Sequence, residues 1–416
     1  MTHRYSGCAD LRLAVVSPFV DRRHGTERAL AEVLERLAQK EHCEIHLYAQ
    51  RVEDLPVAKR RGARSQDSGV IIWHKVPSIP GPHLLQFLSW FFLNSIYRAW
   101  DRLVNGLRFD LVVSPGINCL DADVVIVHAL FHRLQQLALA EQLDSAKSQF
   151  LRSLHQRVYY SLLAGLERRI YANPKVSLAA VSQRTARLLA DYFRRQDVRV
   201  IPNGVDTAQF SPSARLALRA EARRRRAIYE TDFVLLLIGN DWRVKGFETV
   251  LRAMSYLRGL PFLVIAAGDD SPSPFSEIAK SLGISERCRF EPSREDVLDF
   301  YAAADLYVST SEEDSFGMPV AEAMACGLPA ITSIFAGVSS LLHDGVDSLI
   351  LRDPRDAKTL ATMIRALYQE AEWRSRMGQA ATKASREWTW DRNAADVWKL
   401  LNDAAGKKLS RAVQEP

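Results

Sequence analysis

Cysteine is scarce in this 416-residue chain. The five present, Cys8, Cys43, Cys119, Cys288 and Cys326, are scattered, odd in number and never spaced as C-x-x-C. That argues against a disulfide framework and a zinc site, and it fits a reducing cytoplasm. Long apolar runs are missing too. None reaches the roughly 18 residues expected of a membrane-crossing helix. The first ten residues hold no secretory hydrophobic segment, so a cytoplasmic location is expected. The G-x-G-x-x-G string of a dinucleotide oxidoreductase is also lacking. Only His24-Gly25 stands after the first apolar run. Acidic residues fall slightly short of basic ones, leaving a net charge of +6. A basic balance favours anionic partners without choosing among nucleotide, lipid headgroup and nucleic acid.

What is present is alternation. Residues 11–17 (LRLAVVS) read as a strand, and residues 26–39 carry helical periodicity through Leu30, Val33, Leu34 and Leu37. Further strands are expected at 44–49, 110–114, 124–127 and 178–181. Such spacing implies βαβ units and a parallel sheet. The turn-rich Asn203-Gly204-Val205-Asp206, flanked by prolines at 202 and 212, breaks the series. It restarts at 233–238 (FVLLLI) and continues at 262–267, 306–308 and 330–332. The fold class expected is α/β with two similar halves meeting near residue 206. The arginine-rich stretch 215–229 reads as a solvated helix, and as a weak nucleic-acid signal that is set aside.

Residues 84–100 form an unusual helix. Leu85, Leu88, Phe92, Ile96 and Ala99 make one apolar stripe, expected to pack on the sheet. Trp90, Leu93, Tyr97 and Trp100 make a second, on a side shared with Gln86, Asn94 and Arg98. Aromatic residues mixed with polar ones suit a membrane interface. Lys59, Arg60, Arg61 and Arg64 would add attraction to anionic lipid. Burial on both sides is the competing expectation.

The chemistry concentrates in residues 310–329. A loop leads into a short helix with Pro319 near its first position, Gly327 at its end and Pro329 beyond. Ser315, Phe316, Gly317 and Met318 would present backbone amides at the helix N-terminus, a ready phosphate site. Glu322 is expected in the first helical turn, placed for sugar or ribose hydroxyls, and Asp314 for a second set of hydroxyls. Each acid alone has a bland reading, as a loop carboxylate or a dipole-favourable residue. The string as a whole, D-S-F-G-M-P-V-A-E-A-M-A-C-G-L-P, resembles the E-x-F-G-x-x-x-x-E-A-M-A-x-G-x-P signature of glycosyltransferase family 4. Asp314 stands for the first glutamate, with Glu313 adjacent. Residues 201–206 (IPNGVD) with Phe210 and Pro212, residues 265–268 (IAAG), residues 300–311 and residues 343–350 resemble other stretches of that family.

The resemblance implies a GT-B fold, two Rossmann-like domains facing across a cleft. Residues 1–205 would bind the acceptor and 206–388 the donor, with 389–416 crossing back to the first domain. It implies a retaining transfer of a hexosyl group from a UDP- or GDP-sugar to a glycan or lipid-linked hydroxyl, as in lipopolysaccharide or polysaccharide synthesis. Lys245 takes the family's diphosphate-binding lysine position. Asn240 stands where its arginine usually lies, and Arg243 is the expected substitute. Gly268 and Gly25 fall at donor-side loops. His128 falls where many members carry a histidine near the transferred sugar, with His132 as competitor. No cofactor and no metal are expected. Asp121-Ala-Asp123 spells a D-x-D string, but it is discounted because basic residues and amides can neutralise a diphosphate. A non-catalytic nucleotide-sugar or membrane-binding subunit and a nucleotide-sugar epimerase are the alternatives. Peripheral contact with an anionic membrane through 84–100 is a further expectation, and nucleic acid is not an expected partner.

Overall fold

The structure is a computed structural model that describes residues 11–41, 43–59, 70–144, 150–294 and 296–414. Cys8, Arg60, Arg61 and Arg64 fall outside these, as does the side chain of Lys59. The chain divides into two compact units, one of residues 1–201 with 393–416, the other of residues 202–392.

The first unit contains strands β1 (Arg12–Val16), β2 (Phe19–Val20), β3 (Glu44–Ala49), β4 (Arg51–Val52), β5 (Ala58–Lys59), β6 (Ile71–Lys75), β7 (Leu111–Ser114), β8 (Val124–Val127), β9 (Ser177–Ala180) and β10 (Arg199–Val200). Its helices are α1 (Gly25–Glu41), α2 (His83–Val104), α3 (Phe131–Asp144), α4 (Phe150–Tyr171) and α5 (Gln183–Phe193). Eight strands form one sheet in the order β10-β9-β8-β7-β1-β3-β6-β5. All its pairings are parallel, with Val15 opposite Leu47 on one side and Val113 on the other. Parallel strands are covered on both faces, which is why β1, β7 and β8 read as unbroken apolar runs. Strand order reverses between β1 and β7, and open sheets of this kind bind ligands beyond the strand ends at such a point.

The second unit holds β11 (Phe233–Ile238), β12 (Phe262–Ala267), β13 (Cys288–Glu291), β14 (Leu306–Ser309), β15 (Ala330–Ser333) and β16 (Leu349–Leu351). Their parallel order is β13-β12-β11-β14-β15-β16, so the reversal lies between β11 and β14. Helices α6 (Pro212–Arg225), α7 (Phe247–Ser255), α8 (Ser273–Ser281), α9 (Leu298–Ala303), α10 (Met318–Ala325), α11 (Ala357–Gln369) and α12 (Ala371–Ser385) complete it. A core of Leu235, Leu237, Trp242, Phe247, Leu251 and Ile364 lies on one side of the sheet. Helix α13 (Trp390–Gln414) starts here, and its residues from Asn393 onward belong to the first unit. There Lys408 donates to Asp123 at 2.8 Å, and Arg199 pairs with Asp403.

Two expectations are overturned. The stripe of α2 expected to pack inward faces out: Leu85, Phe92 and Ile96 are 49%, 60% and 59% exposed, and Ala99 is exposed as well. The buried face is the one carrying polar groups, namely Trp90, Phe91, Asn94, Arg98 and Asp101. Burial went to the face whose polar atoms find partners. Arg98 grips Asp121 through both terminal nitrogens, and Asn94 donates to the carbonyl of Asn118. Asp101 accepts from Tyr48 Oη on β3 and faces His74 Nδ1 on β6, each at 2.8 Å. A hydrogen-bonded polar face is cheap to bury, and the apolar face was left to the surface.

The solvated helix expected over 215–229 is a packed one. Ser211 caps α6 by accepting from Ala214 N. Arg215, Arg219 and Arg223, four residues apart, donate to the carbonyls of Ala302, Ala303 and Ala304 at the end of α9. Arg219 and Arg223 share Asp305, and Arg226 joins Asp299 and Glu291. Among the described residues no helix is long and apolar enough to cross a membrane.

Candidate functional site

Three loops leave the carboxyl ends of β11, β12 and β14. The first, after β11, is a tight turn. Lys245 N donates to Asp241 O at 3.0 Å, and Trp242 N to Asp270 Oδ2 at 2.7 Å. Trp242 is buried and anchors the turn in the core. Gly246 ends it with φ +74°, and a Cβ there would fall 2.3 Å from the Thr310 carbonyl oxygen. Only glycine allows that approach, and through it Thr310 N reaches Lys245 O at 3.1 Å. The β11 and β14 loops are thereby locked together.

Lys245 uses the lock. Its stem runs over Gly239, where a Cβ would meet its Cγ and Cε at 3.0 Å. Its Nζ lies 2.5 Å from Asp314 Oδ2, with the two side chains 18% and 14% exposed. The ion pair therefore spans the point where strand order reverses. Arg243 is exposed on the same turn. Asn240 is exposed too, and its Oδ1 accepts from Asp269 N at 3.1 Å. Gly268, after β12, is accounted for within the protein, because a Cβ there would fall 2.0 Å from the Gly239 carbonyl oxygen.

The third loop leads into α10. Asp314 N donates to Phe335 O at 3.2 Å, and Gly337 N to Asp314 O at 2.8 Å. Gly317 is the N-cap with φ +96°, and Pro319 occupies the second helical position. None of the described residues accepts from the amides of Ser315, Phe316, Gly317 or Met318. At the other end Gly327 N and Leu328 N fold back to Met324 O and Ala323 O, closing the helix with glycine in the left-handed region. Glu322 lies one turn later than expected. With α10 beginning at Met318 it is the fifth helical residue, in the second turn, and it is buried. Tyr301 Oη donates to its Oε2 at 2.7 Å. Burial, reinforced by the Glu322 carboxylate, holds the Tyr301 phenol well above its ordinary range, so it stays a donor.

In the first unit, Gly25 opens α1 after β1, with open space around its Cα. Asp21, buried, accepts from the amides of Arg23 and His24 and from His24 Nδ1. His128 follows β8 and is mostly buried, and that burial pushes its imidazole pKa down to about 4. His132 is committed elsewhere. Its ring contacts Glu167 at 2.6 Å, and the same carboxylate caps α3 through the amides of Phe131 and His132. Both acids of the D-x-D string are engaged, Asp121 by Arg98 and Asp123 by Lys408 and Val112 N. Among the described residues no cluster of three or more His, Cys, Asp or Glu could hold a metal ion.

Sequence reasoning missed Tyr301 and Asp21. The string around Tyr301 was noted without a role for the phenol, which follows only from α9 packing near α10. Asp21 lies three residues before His24, a spacing that permits the contact without requiring it.

Comparisons with known proteins bear on the family and the fold. Residues 23–209 match the family described as Glycosyltransferase Family 4, and residues 219–384 that described as Glycosyl transferases group 1. D-inositol 3-phosphate glycosyltransferases of Salinispora tropica and Thermobifida fusca are each 30% identical, over 51% and 55% of this chain and 48% and 55% of theirs. The chain thus spans about half the length of the curated relatives it matches. The fold matches WaaG, a glycosyltransferase involved in lipopolysaccharide biosynthesis (TM-score 0.68, 19% identity, 94% of this chain and 98% of that one). It also matches Anabaena HepE in complex with UDP and glucose (TM-score 0.68, 16% identity, 94% and 99%). With one match on each unit and the GT-B fold throughout, the chain belongs to glycosyltransferase family 4.

Proposed function

We propose that this protein transfers a hexosyl group from a nucleoside diphosphate sugar to a hydroxyl of a glycan or lipid-linked acceptor, with retention of configuration. The observation carrying this reading is the Lys245 ammonium held 2.5 Å from Asp314, the residue next in the chain to the unused amides of residues 315–318, across the strand-order reversal of the second unit. A diphosphate leaving group gains negative charge as its bond to the anomeric carbon breaks. Fixed donors aimed at that charge lower the barrier. Lys245, Arg243 and the amides supply them, so no metal or other cofactor is called for. The sugar–phosphate electron pair leaves with the phosphate, and the acceptor oxygen bonds the same face of the sugar. The acceptor proton passes to the departing phosphate oxygen. Glu322, oriented by Tyr301, serves donor hydroxyls. His128, neutral at pH 7, serves as a hydrogen-bonding partner of the sugar rather than as a cation.

UDP-sugars are the first donors to test, since the HepE structures hold UDP, glucose and UDP-glucose. The outward face of α2 supports peripheral contact with an anionic membrane, and with it a lipid-linked acceptor. Leu85, Phe92, Ile96, Trp100 and Leu103 give it an apolar surface at helical spacing. The deciding experiment is a panel of nucleotide sugars assayed for transfer and hydrolysis, with the anomer of any product determined. A β-linked product from an α-linked donor would remove retention, and no turnover or binding across the panel would remove the reaction.

A further inference from the structure

We propose that Asp314 is a positioning residue for Lys245, one that sets how tightly the lysine takes a diphosphate even when no sugar is attached. The inference rests on the nucleotide-sugar reading of this site and departs from it at one residue. The family resemblance gives the acid at position 314 to donor hydroxyls. In this chain its carboxylate is already engaged, 2.5 Å from Lys245 Nζ.

Both ends of the pair are fixed. The Asp314 backbone is held at its N–H by Phe335 O and at its carbonyl by Gly337 N. Lys245 is held at its N–H by Asp241 O and at its carbonyl by Thr310 N, and its stem lies over Gly239. Aspartate is one methylene shorter than glutamate, so its carboxylate stays close to its pinned backbone. A shorter acid on a fixed loop reaches the lysine that another fixed loop presents. The pair is mostly shielded from water, where opposite charges attract more strongly than on an open surface.

The consequence is a contest for one ammonium. A diphosphate must draw Lys245 from Asp314 or share it. Asp314 therefore weakens diphosphate binding while keeping the lysine where the leaving group departs. An acid that touched only the sugar would have no such effect on a ligand without a sugar.

Bare UDP and GDP make the test, by calorimetric titration of the full chain. With whichever binds, Asp314→Asn is expected to tighten binding on the order of tenfold and to lower kcat for transfer. In a Lys245→Met background the same change is expected to alter affinity by less than about twofold. Asp314→Glu keeps the charge on a longer arm and is expected to bind the nucleotide with an affinity between those of the original and Asp314→Asn. Asp314→Ala carries the same expectation as Asp314→Asn and replaces it if that variant does not fold. Unchanged or weakened UDP binding in Asp314→Asn, or equal tightening with and without Lys245, overturns the role while leaving the enzyme reading intact. Failure of the unaltered chain to bind either nucleotide overturns both.

Discussion

The α10 segment of the second unit and the α2 helix of the first were both singled out by residue pattern, and they turned out differently. In α10 the punctuation sits where local chemistry demands: glycine at the N-cap, proline in the first turn, glycine in the left-handed closing position. In α2 the stripe expected inside is outside, and the second stripe is split, with Trp90 buried and Tyr97 and Trp100 exposed. Backbone punctuation is decided by the residue itself. The choice of buried face is decided by what the neighbouring elements offer, and here they offered partners to Asn94, Arg98 and Asp101.

The largest effect expected on the α10 side is on activity. Lys245→Ala should lower kcat/KM by about a thousandfold while the chain remains folded, because a transition-state donor is lost from a locked loop. Full activity in that variant would remove the site from the comparison. On α2 the two tryptophans make a controlled pair. Trp90, 2% exposed, should cost about 4 kcal/mol as Trp90→Ala in urea unfolding, whereas Trp100, 62% exposed, should change stability by less than about 0.5 kcal/mol. Equal losses would mean that Trp100 is covered. Arg98→Ala should cost about 2 kcal/mol, less than Trp90, since it strands hydrogen bonds but leaves Asp121 half in water.

His128 sharpens the contrast through pH. Its folded pKa of about 4 lies below the ordinary 6.5, so between these values the unfolded chain binds a proton that the folded chain refuses. Stability should fall as pH drops from 6.5 toward 4 and stop falling from this source below 4. His128→Asn should flatten that slope in denaturation curves taken across the window. The smallest structural effect belongs to Phe92→Ser with Trp100→Ser. Melting should be unchanged, while flotation with anionic liposomes is lost; undiminished flotation would remove the membrane role of this face.

The long central strands were legible because a strand buried on both faces must be apolar throughout. The edge strands β5 and β10, two residues each, carry too few side chains to leave a pattern. In the site, Lys245, Asp314 and the residues around Gly317 were named from their strings. The contact between Lys245 and Asp314 was not, since it depends on Gly246 letting two loops touch. The sequence suggests Pro319 near the first helical position, but the helix begins one residue earlier, at Met318, and that puts Glu322 in the second turn.

Helix α6 was set down in the sequence as a block of positive charge. In the structure it works as a supply of N–H groups. A guanidinium offers five of them in a rigid fork, and Arg223 spends its terminal nitrogens on Ala303 O, Asp305, Tyr229 O and Asp232 O. An arginine-to-lysine exchange there would preserve the charge and orphan the carbonyls. The six-residue α9 carries Tyr301, and its final carbonyls rest on these forks. The tyrosine that orients Glu322 is therefore mounted on side chains that a charge count would assign to the protein's exterior.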